Sequence, residues 1–211
     1  MAFKVKESTA VMEIGKATFL KSSSLYSQLP PADRPEYAFV GRSNVGKSSL
    51  INMVLRAKLA QTSATPGKTR LINHFDVDGK WFLVDLPGYG FARVSKGSRK
   101  GFEEMIHDYA TQRKSLVAVF VLVDSRLAPQ ALDLEFMEFL GVSEVPFAII
   151  FTKLDKLSGS ERPKNLAAYK KVLKQTWDEL PPIFLSSAET REGRKEILDW
   201  MEANMDLWRK P

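Results

Sequence analysis

Gly41-Arg42-Ser43-Asn44-Val45-Gly46-Lys47-Ser48 fits G-x-x-x-x-G-K-[ST] at every fixed position, and it follows Tyr37-Ala38-Phe39-Val40, an apolar run of strand character. A strand before and a helix after are the context in which this spacing binds phosphate rather than merely turning the chain. The two glycines let the backbone curl so that successive N–H groups point inward at phosphate oxygens. Lys47 is placed to reach the outer phosphates, and the Ser48 hydroxyl to ligate magnesium. The helix expected over Ser49 to Arg56, opening near Lys47, adds its positive N-terminus to the same place.

Outward from this loop the chain alternates strand-like and helix-like runs. Leu71 to Val77 and Lys80 to Val84 flank Asp78-Gly79, a strong hairpin signal, so one antiparallel edge strand is expected beside an otherwise parallel sheet. Then come a loop to about Ser98, a helix to about Arg113, strand Leu116 to Val123, helix Pro129 to Leu140 and strand Val145 to Phe151. A helix over Pro163 to Glu179, strand Ile183 to Leu185 and helix Glu192 to Met205 complete the series. The pattern predicts an α/β fold with a doubly wound, mostly parallel sheet and helices on both faces, whose ligands sit at the carboxyl ends of the strands. Residues 1–35 read as an N-terminal extension packed on the core, with an edge strand around Ala17 to Leu20 and a proline-marked loop from Leu29 to Pro35. Residues 36–205 form the nucleotide-binding domain and 206–211 a tail.

Composition narrows the chemistry. The chain has 211 residues, enough for one domain with a full core. Without cysteine it has no disulfides, thiolate metal sites or thiol catalysis, and two histidines leave little for a histidine metal site. Leu116 to Val123, the longest apolar run, is far too short to span a bilayer, and the first residues lack the apolar core of a signal peptide. A cytoplasmic location without a membrane partner is expected. The net charge of +6 is compatible with a nucleic-acid partner. Its placement matters more: Arg56, Lys58, Lys68 and Arg70 follow one another with no acid between them, as do Arg93, Lys96, Arg99 and Lys100.

Two further boxes carry nucleotide chemistry. Asp85-Leu86-Pro87-Gly88 closes a strand of the same sheet; alone it makes a good turn, but after a P-loop the aspartate can hold magnesium through a water and the Gly88 amide can contact a third phosphate. Thr152-Lys153-Leu154-Asp155 closes the strand ending at Phe151. The Asp155 carboxylate can accept from N1–H and the exocyclic amine of guanine, a donor pair that adenine lacks. The Lys153 stem can lie over the base, and Leu185-Ser186-Ser187-Ala188 can offer a backbone N–H to the guanine carbonyl oxygen.

With these residues in place the chain resembles the translation-factor-related small GTPases, and within them the EngB (YihA/YsxC) ribosome-biogenesis family. The resemblance rests on Gly41 to Asn52, Thr62 to Arg70, Asp85 to Val94, the Thr152 to Asp155 box and Phe184 to Ala188, and covers about residues 36–200. It implies a GTP-hydrolysing switch that binds GTP and GDP and acts on a large-ribosomal-subunit precursor or its RNA, through the basic face near the switches, as a monomer. It also implies that Gly67, Lys68, Thr69, Arg70 and Leu71 close over the nucleotide. Thr69 is then the switch threonine that ligates magnesium beside Ser48, with Thr65 as the second choice. Of the groups expected to act in hydrolysis, Lys47, Thr69 and Gly88 meet the outer phosphates. Ras-like enzymes place a glutamine straight after the glycine of Asp-x-x-Gly to orient water; here it is Tyr89. Slow intrinsic hydrolysis is expected, helped by the ribosomal partner or by potassium, since Asn44 matches the potassium-ligand asparagine of related GTPases; the alternative is that Asn44 braces the loop. Two rival readings stay open: a GTPase of another pathway, such as tRNA modification or cell division and septation, and an RNA-binding scaffold that holds guanine nucleotide as a structural ligand.

Other residues read as structural. His74 and His107 lack a second metal ligand nearby, and Asp124 is followed by Ser125-Arg126 instead of Pro-Gly, so it reads as a brace for the next loop. Trp81, Trp177, Trp200 and Trp208 read as packing residues.

Overall fold

The alternation Tyr37, Ala38, Phe39, Val40 decides which layer each side chain joins. In a strand, successive side chains face opposite sides; Tyr37 and Phe39 enter one apolar cluster and Ala38 and Val40 the other, so β2 (Glu36–Gly41) is buried throughout. The structure, a computed structural model, describes residues 12–61, 71–89 and 96–208, without the side chains of 96–100, 102 and 103. β2 pairs in parallel with β4 (Trp81–Asp85) and β5 (Leu116–Asp124), and β6 (Phe147–Thr152) and β7 (Ile183–Leu185) extend the sheet in the same sense. On the other side β3 (Ile72–Val77) runs antiparallel to β4, and β1 (Ala17–Ser23) antiparallel to β3. The order is β1-β3-β4-β2-β5-β6-β7. Helices α1 (Lys47–Leu55) and α5 (Arg194–Asn204) cover the Tyr37 face; α2 (Lys96–Gln112), α3 (Ala131–Val142) and α4 (Glu161–Leu173) cover the Ala38 face. Among the described residues no helix is long and apolar enough to cross a membrane.

Two expectations need correction. β3 runs against its neighbours, as the Asp78-Gly79 turn requires with φ of 54° and 65°, but it is not the edge. β1 covers it: the Asp78 carboxylate accepts from Gly15 N (3.1 Å) and Lys16 N (2.6 Å), and Phe19 meets Phe75 edge-on at 6.0 Å. The hairpin tip thus anchors the strand that shields the hairpin. The helix expected to run to Glu179 ends at Leu173 instead. Tight backbone bonds from Lys174 to Trp177 close it off, and Trp177 turns in against Phe147, edge-on at 5.4 Å.

The N-terminal end of β2 holds a buried polar cluster. The Glu36 carboxylate has no exposed surface and accepts from Arg113 Nε (3.0 Å), Arg113 Nη2 (2.5 Å) and the Tyr109 hydroxyl (2.5 Å), with His74 Nε2 at 3.5 Å. Burial acts to raise the Glu36 carboxyl, but His74 and Arg113 facing it hold it down at about 2, against 4.5 for a free side chain. A carboxyl depressed in the folded state stabilises above its unfolded value, and that stability is lost as pH falls through the folded value. Glu36→Gln leaves the Arg113 charge without its carboxylate and should destabilise the protein at pH 7 by about 3–5 kcal/mol in urea unfolding. The gap between the two proteins should close as pH falls from 4.5 towards 2; a gap independent of pH would refute the assignment.

Candidate nucleotide-binding site

α1 opens on Gly46, its N-cap, with φ of +100°, a left-handed conformation that a side chain resists. Gly41 starts the loop where β2 passes β5 closely: a Cβ there would lie 2.8 Å from the Leu122 carbonyl oxygen. Between them Asn44 is also left-handed, with φ of 64°, and Val45 N–H bonds the Arg42 carbonyl at 3.2 Å. Ser43 Oγ is buried without a protein partner among the described residues, as suits a loop that awaits acceptor oxygens. Lys47, 8% exposed, is hydrogen-bonded to the carboxylate of Asp85, 3% exposed, at the end of β4. The first two boxes therefore meet as a buried ion pair.

The residues fit magnesium only in company with phosphate. Among the described residues no group of three or more acids or histidines forms a metal cluster. Ser48 in the first turn of α1 and Asp85 offer oxygen, the donor that this hard cation prefers, and the remaining ligands must come from phosphate and water.

The third box does more than was expected of it. Thr152, buried, donates its hydroxyl to the Val45 carbonyl at 2.6 Å, and Lys153 Nζ donates to the Asn44 carbonyl at 2.5 Å and to Asp124 at 2.9 Å. Both side chains hold up the phosphate loop from below. Lys153 itself adopts φ of 62°, a second left-handed residue beside the loop. Asp124 braces its own loop, accepting from Arg126 N, Nε and Nη2, and also holds Lys153. Burial acts to raise the Asp124 carboxyl, but the bonds from Arg126 and Lys153 bring it down to about 2. Leu154 and Leu86 are core residues, their N–H groups bonded to the Ser186 and Phe39 carbonyls.

Asp155 stands beside β7. Ser187 Oγ donates to its Oδ1 at 2.7 Å and Lys156 Nζ lies 3.0 Å from Oδ2; these two hydrogen bonds hold the carboxyl below its ordinary range. The Ser186 and Ser187 N–H groups are occupied, by the Phe151 and Glu192 carbonyls. In that turn Ala188 N–H meets no acceptor among the described residues.

Tyr89 is turned onto α3: its hydroxyl donates to Asp133 at 2.9 Å and its ring stacks on Phe136 at 4.7 Å. Arg42 also points to Asp133, its Nε 3.1 Å from both oxygens. Asp133 was absent from the sequence reading. Its signal was there: it shares the buried stripe of α3 with Met137 and Leu140 at helical spacing, and an acid on such a stripe needs partners. Thr62, Thr65, Gly67, Lys68, Thr69 and Arg70 lie outside the described residues, as do Arg93 and the side chains of Lys96, Arg99 and Lys100; Leu71 is described and exposed.

Residues 36–153 match the family model for 50S ribosome-binding GTPases. The chain is 54% identical over 193 residues to a probable GTP-binding protein EngB of Bacteroides fragilis, covering 91% of this chain and 96% of that one. The chain belongs to the EngB family of GTP-binding proteins. A Porphyromonas gingivalis member is 51% identical over 198 residues, covering 93% and 98% of the two chains. The fold matches a crystal structure of a probable GTP-binding protein EngB (TM-score 0.63, 22% identity, 82% of this chain and 99% of that one). It also matches Aquifex aeolicus Era bound to GDP and aluminium fluoride (TM-score 0.66, 21% identity, 82% and 57%). Membership supports GTP hydrolysis as the activity of the chain.

Removing the Thr152 hydroxyl tests the brace. Thr152→Val leaves the Val45 carbonyl buried and unpaired, a cost of about 1–3 kcal/mol. Titration with fluorescent nucleotides should show GDP and GTP-analogue affinities falling together, by roughly tenfold, with guanine preference intact; unchanged affinities would show that the loop stands without it.

Proposed function

We propose that the chain is a GTP-driven switch in assembly of the large ribosomal subunit, engaging the precursor particle with GTP bound and leaving after hydrolysis. The observation that carries this reading is the arrangement of boxes: phosphate loop after β2, Asp85 to Gly88 after β4, base box after β6 and the Ser186 to Ala188 turn after β7, all at the carboxyl edge of one sheet. The ribosome-binding description of the matching family supports the choice of partner.

Each group has a role in this reading. The loop amides and Lys47 hold the phosphates, and the Gly88 amide meets the third one. Ser48 and Thr69 offer hydroxyls to magnesium, with Asp85 joining through water; the ion neutralises charge on the phosphate oxygens. Asp155 accepts from N1–H and the exocyclic amine of guanine, Ala188 N–H serves the guanine carbonyl oxygen, and the Lys153 stem lies over the base. Thr152, Leu154 and Leu86 act by packing and bracing. The basic residues around both switches contact ribosomal RNA. The protein works as a cytoplasmic monomer.

Hydrolysis by the isolated protein is slow, because Tyr89 is engaged by Asp133 and Phe136 and orients no water. A potassium ion beside Asn44, exposed at the fourth position of the loop, would supply positive charge as the transition state develops. Phosphate release should then be several-fold faster in potassium than in sodium at equal ionic strength; equal rates would remove potassium from the mechanism.

Cosedimentation with large ribosomal subunits at physiological salt, with a non-hydrolysable GTP analogue or with GDP, tests the switch. Binding with the analogue and release with GDP is expected. Equal binding in both states would favour the RNA-binding scaffold, which the disposition of Tyr89 also allows. Binding in neither would point to another pathway, such as tRNA modification or cell division and septation.

A further inference from the structure

Asp133 lies far in sequence from every nucleotide box, yet two of those boxes end on it. Asp133 is 1% exposed, and its carboxylate has Arg42 of the phosphate loop on one side and the Tyr89 hydroxyl on the other. Tyr89 directly follows Gly88, so whatever holds the tyrosine also holds the peptide next to the amide that faces a third phosphate. The ring is clamped as well, stacked on Phe136 at 4.7 Å, with interplanar angle 27°. Burial, reinforced by the Asp133 charge, pushes the Tyr89 phenol well above its ordinary value, so it stays a proton donor at any working pH.

We infer that Asp133 is a positioning residue: by pinning the Tyr89 hydroxyl, with Arg42 steadying its carboxylate from the phosphate loop, it pre-sets the Gly88 amide for a third phosphate. The tyrosine that replaces the water-orienting glutamine is a tether. A diphosphate has no group at Gly88, so the tether favours the triphosphate state alone. The ordering is done before the nucleotide arrives, and a ligand that needs an already ordered group binds more tightly for it. This inference rests on the GTPase reading above.

Y89F keeps the ring and its stack and deletes only the hydroxyl; D133N keeps the shape of the carboxylate and removes its charge. The two variants, their combination and the unaltered protein would be titrated with fluorescent GDP and with a non-hydrolysable fluorescent GTP analogue. Y89F should bind the analogue about tenfold more weakly, the scale of one hydrogen bond to a charged group, and D133N by a smaller factor, because its amide oxygen still accepts from the hydroxyl. GDP affinity should stay within about twofold, and the double variant should be no worse than Y89F alone, because D133N only weakens the contact that Y89F removes. If D133N fails to fold, Y89F alone decides. Equal loss for both nucleotides would make Asp133 a mere support of the phosphate loop and overturn the inference. So would an unchanged ratio, a shift towards the analogue, or losses that add. Failure of the unaltered protein to bind either nucleotide would instead refute the GTPase reading.

Discussion

A loop that turns its amides inward to hold phosphate cannot satisfy its own backbone. Its carbonyls point outward, in a place too buried for water to serve all of them, and unpaired buried carbonyls are costly. Here the bonds come from the end of β6, two strands over: Thr152 serves the Val45 carbonyl and Lys153 the Asn44 carbonyl. The Thr152 to Asp155 box therefore holds the phosphate loop by contacts of its own. The bond from Lys153 to the loop joins two left-handed residues, Asn44 and Lys153.

The helix that leaves the loop is finished with equal care. α1 ends at Leu55, where the Arg56 and Ala57 N–H groups serve the Met53 and Asn52 carbonyls and the last carbonyls need donors from elsewhere. Arg194, at the start of α5, donates Nε to the Met53 and Val54 carbonyls and Nη2 to Val54 at 2.8 Å. Its positive charge also sits at the negative end of the helix dipole. From the last turn of α1, Asn52 reaches forward and bonds Leu59 N, Ala60 N and the Ala60 carbonyl. One helix thus connects the phosphate loop at its start to the Leu59-Ala60 segment at its end, so a shift of the loop has a stiff path to that segment.

Much of this was legible because it repeats locally. The glycine spacing, the alternation in β2, the Asp78-Gly79 turn and the order of the boxes are all written within short windows. What stayed hidden depends on which strand ends become neighbours. Thr152 and Val45 are 107 residues apart, and only the parallel order β2-β5-β6 brings them together. The edge strand at Ala17 to Leu20 was legible, but its pairing with β3 was not, because that pairing leaves little mark on β1, whose residues Thr18 to Lys21 remain exposed. The end of α4 at Leu173 is set by the seat of Trp177 on another layer, against residues of favourable helix propensity. Asp133 falls between the two cases: its misplacement on an apolar stripe was visible, its partners were not.

β2 carries the whole arrangement because its register is determined from both ends. At one end Glu36 must reach Arg113 and Tyr109; at the other Gly41 must pass within contact distance of the Leu122 carbonyl. Slipping the strand by one residue would send every side chain to the opposite face, exchanging Tyr37 and Phe39 with the much smaller Ala38 and Val40 in two closely packed layers. It would also strip Glu36 of its partners in a place where an unpaired charge is prohibitive. The polar cluster therefore works at a distance from the nucleotide: by locking the near end of the strand, it holds the far end, where the loop begins, in register with β5 and β6. The accuracy with which Thr152 and Lys153 meet the loop carbonyls is inherited from that lock.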